Sequence, residues 1–148
     1  MKQFFYPITL AFITLISTTL TASNPADWET YFENDSIKIE FTYQNCEYIE
    51  QFNSEFVIFK ISNLTNTSIV LEWNQQLWYD SICSNCEQES TEFRTNQIIK
   101  SQEILQGNCG PYNQLRIFVK FTEELENMPG INKINALTKF ELTNLTIQ

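Results

Sequence analysis

Apolar and polar residues alternate along much of this chain. In residues 36–43 one face is formed by Ile37, Ile39, Phe41 and Tyr43. The intervening positions are charged or hydroxyl-bearing, and residues 113–121 repeat the alternation, with Phe118 as the apolar exception on the polar face. A period of two over about eight residues indicates a β-strand with one buried face. Both segments are therefore predicted to be half-buried strands.

Two further segments predict the strongest strands. Residues 54–61 are apolar on nearly both faces, which is typical of a central strand. In residues 69–79 the odd positions are apolar or aromatic, with Gln75 as the exception. A helix would also bring some of these residues together, but their β-branched and aromatic side chains favour a strand.

The remaining segments carry weaker signals. Residues 91–99 and 102–105 predict two short strands, with one short helix as the alternative. Residues 137–147 predict a last strand, in which the apolar phase slips and indicates a β-bulge near Thr143-Asn144. Residues 24–34 are expected to lie as a polar entry segment against an edge of the sheet.

These seven short strands, separated by polar turns, predict an all-β fold. We expect an antiparallel β-sandwich of immunoglobulin-like architecture with about seven to eight strands, formed as a single domain by residues 24–148. The cysteine–tryptophan–cysteine arrangement of immunoglobulin domains is not matched cleanly. The sequence therefore predicts the architecture and not that family.

The first 23 residues predict a secretory signal peptide. Lys2 supplies the charge, residues 4–20 are largely apolar, and Thr21-Ala22-Ser23 offers small residues before a cut after Ser23. A transmembrane anchor is the alternative, but Pro7 and several hydroxyl residues interrupt the run that a span requires. We expect a secreted or periplasmic protein with no membrane span in the mature chain.

Charge and composition exclude several classes of function. The formal net charge is −9, so phosphate backbones would repel the chain and no nucleic-acid partner is expected. The chain contains no histidine, which removes His-based triads and His-ligated metal sites. No spaced calcium-binding loop is present. We therefore predict no catalytic residues, no metal and no cofactor.

The four cysteines are Cys46, Cys83, Cys86 and Cys109. If successive strands alternate in direction, all four fall in loops at one end of the sandwich. An even count in an exported chain indicates two disulfides, whose pairing the spacing leaves open. A zinc site of four thiolates and a redox-active Cys83-Ser84-Asn85-Cys86 are the alternatives.

Large aromatic residues near the cysteines suggest a ligand surface. Trp78, Tyr79 and Tyr112 are the candidates for stacking on sugar rings, as in an extracellular carbohydrate-binding module. Trp78 is predicted to face away from Trp73 and Tyr79, however, so these side chains do not all serve one surface.

Several segments resemble the small, uncharacterised exported proteins of Bacteroidota-type bacteria. The resemblance rests on Leu77-Trp78-Tyr79 leading to Cys83-Ser84-Asn85-Cys86, on Cys109, and on residues 115–118 and 137–142. It implies export and a β architecture, and it implies no activity for any residue.

The sequence thus predicts a non-catalytic exported β-sandwich, an interaction or structural module braced by two disulfides, whose partner is an unidentified protein or glycan. The alternatives from other classes are a thiol-based zinc-binding or redox protein and the carbohydrate-binding module. Binding is expected in the loops, because loops on a rigid scaffold commonly carry it.

Overall fold

A computed structural model of the chain describes residues 27–48, 52–87, 91–111, 113–122, 125, 129–130 and 133–148. These residues form strands β1 (Glu29–Glu33), β2 (Ile37–Cys46), β3 (Ser54–Asn63), β4 (Ile69–Tyr79), β5 (Ile82–Cys83), β6 (Arg94–Ile99), β7 (Ile104–Gln106), β8 (Arg116–Phe121) and β9 (Leu137–Ile147). A 3₁₀ turn at Thr91–Phe93 precedes β6. No helix in these ranges is long and apolar enough to cross a membrane. The predicted signal peptide lies outside the described residues.

The strands form two antiparallel sheets. Sheet A contains β1, β2 and β3 in that order, with β7 and β8 also paired to β3. Sheet B contains β9 and β4, with β5 and β6 also paired to β4. The predicted all-β, antiparallel two-sheet sandwich is therefore confirmed, while its immunoglobulin-like character stays a prediction.

One hydrophobic core lies between the two sheets. Alternate residues of β2, β3, β4 and β8 point into it, as the period of two requires. Its buried members are Ile37, Ile39, Val57, Phe59, Ile61, Ile69, Leu71, Trp73, Ile99, Leu115, Ile117 and Val119. A side chain of this size contributes about 1.5–3 kcal/mol when it is fully buried. The alternation seen in the sequence thus translates directly into the inner faces of the two sheets.

In each sheet, two short strands lie end to end beside the central strand. The partner β2 follows β3 over the whole length from Ser54 to Asn63, so β7 and β8 share the opposite edge of β3. Likewise β9 follows β4 from Leu71 to Tyr79, so β5 and β6 share the opposite edge of β4. We call residues 108–114, between β7 and β8, the sheet A loop, and residues 84–93, between β5 and β6, the sheet B loop.

This arrangement corrects one sequence-based assumption. Both β7 and β8 are antiparallel to β3, so they run in the same direction and the chain does not reverse between them. Cys109 therefore does not lie in a turn at the end of the sandwich. It lies in the sheet A loop, which leaves and rejoins the sheet beside Phe59 in the middle of β3. The sequence-based assumption fails because β7 and β8 can both pair with β3 end to end, and such pairing needs no reversal of the chain between them.

The other strand predictions are largely confirmed. The predicted segments at 36–43, 54–61, 69–79 and 137–147 correspond to β2, β3, β4 and β9. The helical alternative for residues 91–105 is wrong, since β6 and β7 form there after the short 3₁₀ turn. Strand β1 was expected only as an entry segment, and it pairs with β2 at the edge of sheet A.

The bulge predicted in β9 is also confirmed. The pairing of β4 with β9 shifts register between Glu72 and Asn74, opposite Thr146 and Thr143. Asn144 takes a left-handed backbone conformation with φ of 53°, which asparagine tolerates better than most residues. The extra residue in β9 is thus accommodated at the position where the apolar phase slips.

Candidate functional site

The sheet A loop is pinned to the outer face of sheet A by a disulfide. Cys109 bonds to Cys46, the last residue of β2, across 63 positions of sequence. Cys46 is buried and packs with Phe56 and Ile58 in a second apolar cluster on this outer face. The loop therefore covers apolar side chains that β3 directs away from the main core.

Two side chains clamp the same loop through one carbonyl group. The Tyr48 hydroxyl donates a hydrogen bond of 3.0 Å to the carbonyl oxygen of Cys109. The Arg116 guanidinium donates to that oxygen at 2.9 Å and to the Tyr48 hydroxyl at 2.8 Å. The guanidinium also lies 4.4 Å from the centre of the Phe56 ring, a cation–π arrangement. This network fixes the loop beside the disulfide.

The sheet B loop begins at a tight β-hairpin. Tyr79 pairs with Ile82, and the two residues between them, Asp80 and Ser81, have φ of 49° and 68°. Positive φ at both central residues is the requirement of a type I′ turn. Asp80 is held by an ion pair of 2.7 Å to Lys133 and by the Ala136 amide. Both contacts, that with Lys133 being the larger, lower the pKa of the Asp80 carboxyl below its usual value.

The buried side chain of Asn85 takes the place of a missing strand residue. Between the segments paired to β6 and to β5, strand β4 has no strand partner on this edge at Gln75–Leu77. The Asn85 amide accepts a hydrogen bond of 2.9 Å from the Leu77 backbone N–H and donates one of 2.8 Å to the Gln75 carbonyl. The Ser84 backbone N–H also donates to the Leu77 carbonyl, at 2.8 Å. The residues between Cys83 and Cys86 thus complete the edge of β4.

The four cysteines form two separate disulfides, Cys46–Cys109 and Cys83–Cys86, and none is free. No sulfur is therefore present as a thiolate ligand for zinc. Cys83–Cys86 follows a β-hairpin, and does not start a helix that would stabilise a reactive thiolate. Within the described ranges, no group of three His, Cys, Asp or Glu side chains is arranged to hold a metal ion.

The aromatic residues singled out from the sequence do not form one platform. Tyr79 points inward, where its hydroxyl donates a 2.8 Å hydrogen bond to the Phe118 carbonyl and burial raises its pKa. Trp78 lies on the outer face of sheet B, with the Lys139 ammonium 4.4 Å from its ring centre. Tyr112 lies outside the described residues.

The outer face of sheet B also carries a polar cleft of about 490 Å³. Asn74 and Gln76 of β4 form its floor, since they alternate with the core residue Trp73. The wall on one side comes from residues 85–87, 91, 93 and 94, and on the other from Thr143 and Asn144 at the β9 bulge. Such a volume lies within the range of small-molecule sites.

Ion pairs and hydrogen bonds flank this cleft. On one side Glu72 accepts hydrogen bonds from Arg94 and Asn96, and the bond from Arg94 is the main cause that lowers the Glu72 pKa. On the other side Lys139 pairs with Glu141 at 2.7 Å. These four charged groups thus neutralise one another in pairs, while Glu87 in the lining has no cation paired with it among the ion pairs of the described residues.

Sequence reasoning did not single out Asn74 or Gln76, and it named Asn85 only as a spacer in the Cys83–Cys86 motif. The one signal near them is the polar residue Gln75 at an apolar position of β4, where the strand leaves the core pattern. No periodicity marks Asn85, because its role depends on a gap that only the folded sheet contains. Comparison of the chain with protein-family models, with curated proteins and with solved structures finds no match.

Proposed function

We propose that this chain is a non-catalytic, exported β-sandwich module that acts by binding another molecule, in the periplasm or outside the cell. The observation that carries the proposal is the use of all four cysteines in two disulfides, each of which anchors a loop inserted in one sheet. Disulfides form and persist in oxidising compartments. The signal-like residues 1–23 and the resemblance to small exported proteins of Bacteroidota-type bacteria support the same location.

The proposal of a binding role without catalysis rests on the chemistry of the chain. The absence of histidine removes the commonest general base and metal ligand. The inserted loops are held on rigid sheets by disulfides and side-chain hydrogen bonds, an arrangement that favours recognition by presenting fixed surfaces. A zinc or redox role would need free or reversibly formed thiols.

The test is intact-mass analysis of the full chain, signal included, after expression with export and alkylation under denaturing, non-reducing conditions. We expect a chain that begins at Asn24, is lighter than the reduced form by the four hydrogens of two disulfides, and takes up no alkylating agent. Retention of residues 1–23 would contradict export. Alkylated cysteines accompanied by released zinc, or a variable mixture of oxidised and reduced Cys83–Cys86, would favour the thiol-based alternatives.

A further inference from the structure

The side chains on the floor of the sheet B cleft have no partners in the described chain. Asn74, Gln76 and Thr143 are half-buried, yet no described group forms a hydrogen bond with their side-chain polar atoms. Most other described asparagines use theirs structurally, namely Asn34, Asn53, Asn63, Asn85, Asn96, Asn108 and Asn113. The cleft therefore gathers amide and hydroxyl groups that the fold itself does not use.

The cleft exists because β5 and β6 do not meet. Asn85 satisfies the backbone edge of β4 at Gln75 and Leu77, but its side chain lies in that edge and leaves the outer face above Gln76 without a neighbouring strand. On the opposite side the β9 bulge brings Asn144 to the rim. Phe93, half-buried in the 3₁₀ turn, is the aromatic member of the lining.

Charge and backbone pairing narrow the class of ligand. The cation in the lining, Arg94, is already paired with Glu72, and Glu87 adds a negative charge, so an anionic ligand is disfavoured. An extended peptide would need open backbone groups for strand addition. On this stretch of β4 they are occupied by β9 and by Asn85. What remains available is a set of neutral side-chain donors and acceptors beside one aromatic ring.

We propose that this cleft binds a neutral oligosaccharide, with Asn74, Gln76 and Thr143 hydrogen-bonding to ring hydroxyl groups and Phe93 packing against the apolar face of a sugar ring. A side-chain amide has both a hydrogen-bond donor and an acceptor, and each sugar hydroxyl group can likewise donate and accept. The inference names a ligand class for the proposed binding module and rests on that proposed function. It places the site in the cleft, away from Tyr79.

The test is an NMR titration of the oxidised mature chain with four separate neutral sugars: cellohexaose, laminarihexaose, xylohexaose and mannohexaose. We expect at least one of them to shift the side-chain NH₂ signals of Asn74 and Gln76 in a saturable way. Asn74→Ala and Gln76→Ala should each raise the dissociation constant about tenfold, which corresponds to the loss of roughly one hydrogen bond. Asn45→Ala, an exposed amide on sheet A, is the matched control and should leave the constant unchanged.

Circular dichroism of each variant establishes that it folds. The inference is overturned if no sugar saturates these signals at about 10 mM, a concentration that detects millimolar binding, or if Asn74→Ala and Gln76→Ala bind as wild type does. It is also overturned if a peptide shifts the same signals and the sugars do not. If the titration fails while the mass shows both disulfides intact, only the sugar-binding inference is overturned and the proposed exported binding module still stands. Free thiols in the mass analysis would instead contradict the proposed module itself.

Discussion

Each sheet has one edge on which the strand beside the central strand is interrupted, and the two interruptions are closed by different chemistry. In sheet A the chain leaves and returns at a single residue, since the Gly107 N–H donates to the Phe59 carbonyl and the Phe59 N–H donates to the Leu115 carbonyl. No residue of β3 loses its partner. In sheet B the gap spans Gln75–Leu77, and the side chain of Asn85 fills it.

The difference follows from how closely two backbone segments approach. A Cβ atom on Gly107 would overlap the Leu115 carbonyl oxygen. The two ends of the sheet A loop can therefore meet at the single residue Phe59 only because position 107 is glycine. The sheet B loop has no glycine. Its ends stay apart, and a side-chain amide substitutes for a peptide group. The wider gap is what opens the polar cleft on the outer face of sheet B.

The two disulfides provide the largest test of this comparison. Removing Cys46–Cys109 with paired alanines should lower the free energy of unfolding by about 4 kcal/mol, because the bond closes 63 residues of sequence. Removing Cys83–Cys86 in the same way should cost less than about 2 kcal/mol, because it closes only 3. Urea denaturation of both double variants measures the difference. Equal losses would show that the closed length does not set the contribution.

Gly107→Ala tests the narrow closure of sheet A. The new Cβ would collide with the Leu115 backbone, and we expect a loss of about 3 kcal/mol in the free energy of unfolding. Gly110→Ala is the matched control in the same loop. Its Cβ would meet only the end of the Asn108 side chain, which can shift at the cost of its hydrogen bond to the Gly110 N–H, so the expected loss is about 1 kcal/mol. Thermal melts of the two variants compare them, and a mild Gly107→Ala would mean that the loop closes without the glycine.

Asn85 tests the side-chain closure of sheet B. Asn85→Ala leaves the Leu77 N–H and the Gln75 carbonyl without their partner, and should cost about 1–3 kcal/mol. Asn85→Asp keeps the acceptor for Leu77 but places a carboxylate against the Gln75 carbonyl. Its pKa should therefore be raised in the folded state, and its stability should recover as the pH falls, because the protonated acid can donate. The exposed Asn45→Ala is the control, and a pH-independent Asn85→Asp would contradict the exchange of hydrogen bonds.

The smallest expected effect concerns the hairpin at the start of the sheet B loop. The folded-state pKa of Asp80 lies below its ordinary value of 3.8, because of Lys133 first and the Ala136 amide second. A lowered pKa adds stability that is present above the unfolded value and is lost as the pH falls through the folded one. Melts between about pH 5 and pH 2 should therefore show a steeper loss for wild type than for Asp80→Asn. Parallel curves would exclude this ion pair as a source of acid sensitivity.

Local patterns determined much of what the sequence could predict. A period of two is a property of neighbouring residues, so β2, β3, β4 and β9 can be predicted from the sequence alone. The same holds for the phase slip that marks the bulge at Asn144. The even number of cysteines in a chain with a signal-like start likewise predicted disulfides without their pairing. The weak alternation in β6 and β7 left a helix open, because short strands carry few residues by which to judge a period.

Only the tertiary structure decided how these strands share the edges of β3 and β4. Strand pairing joins residues far apart in sequence, and the same alternation fits a reversal between β7 and β8 as well as an end-to-end arrangement. The pairing Cys46–Cys109, the role of Asn85 and the cleft above Gln76 all depend on that choice. They depend on which backbone groups remain unpaired after the sheets assemble. No local sequence pattern shows which groups these are, because strand pairing joins residues that are far apart in the chain.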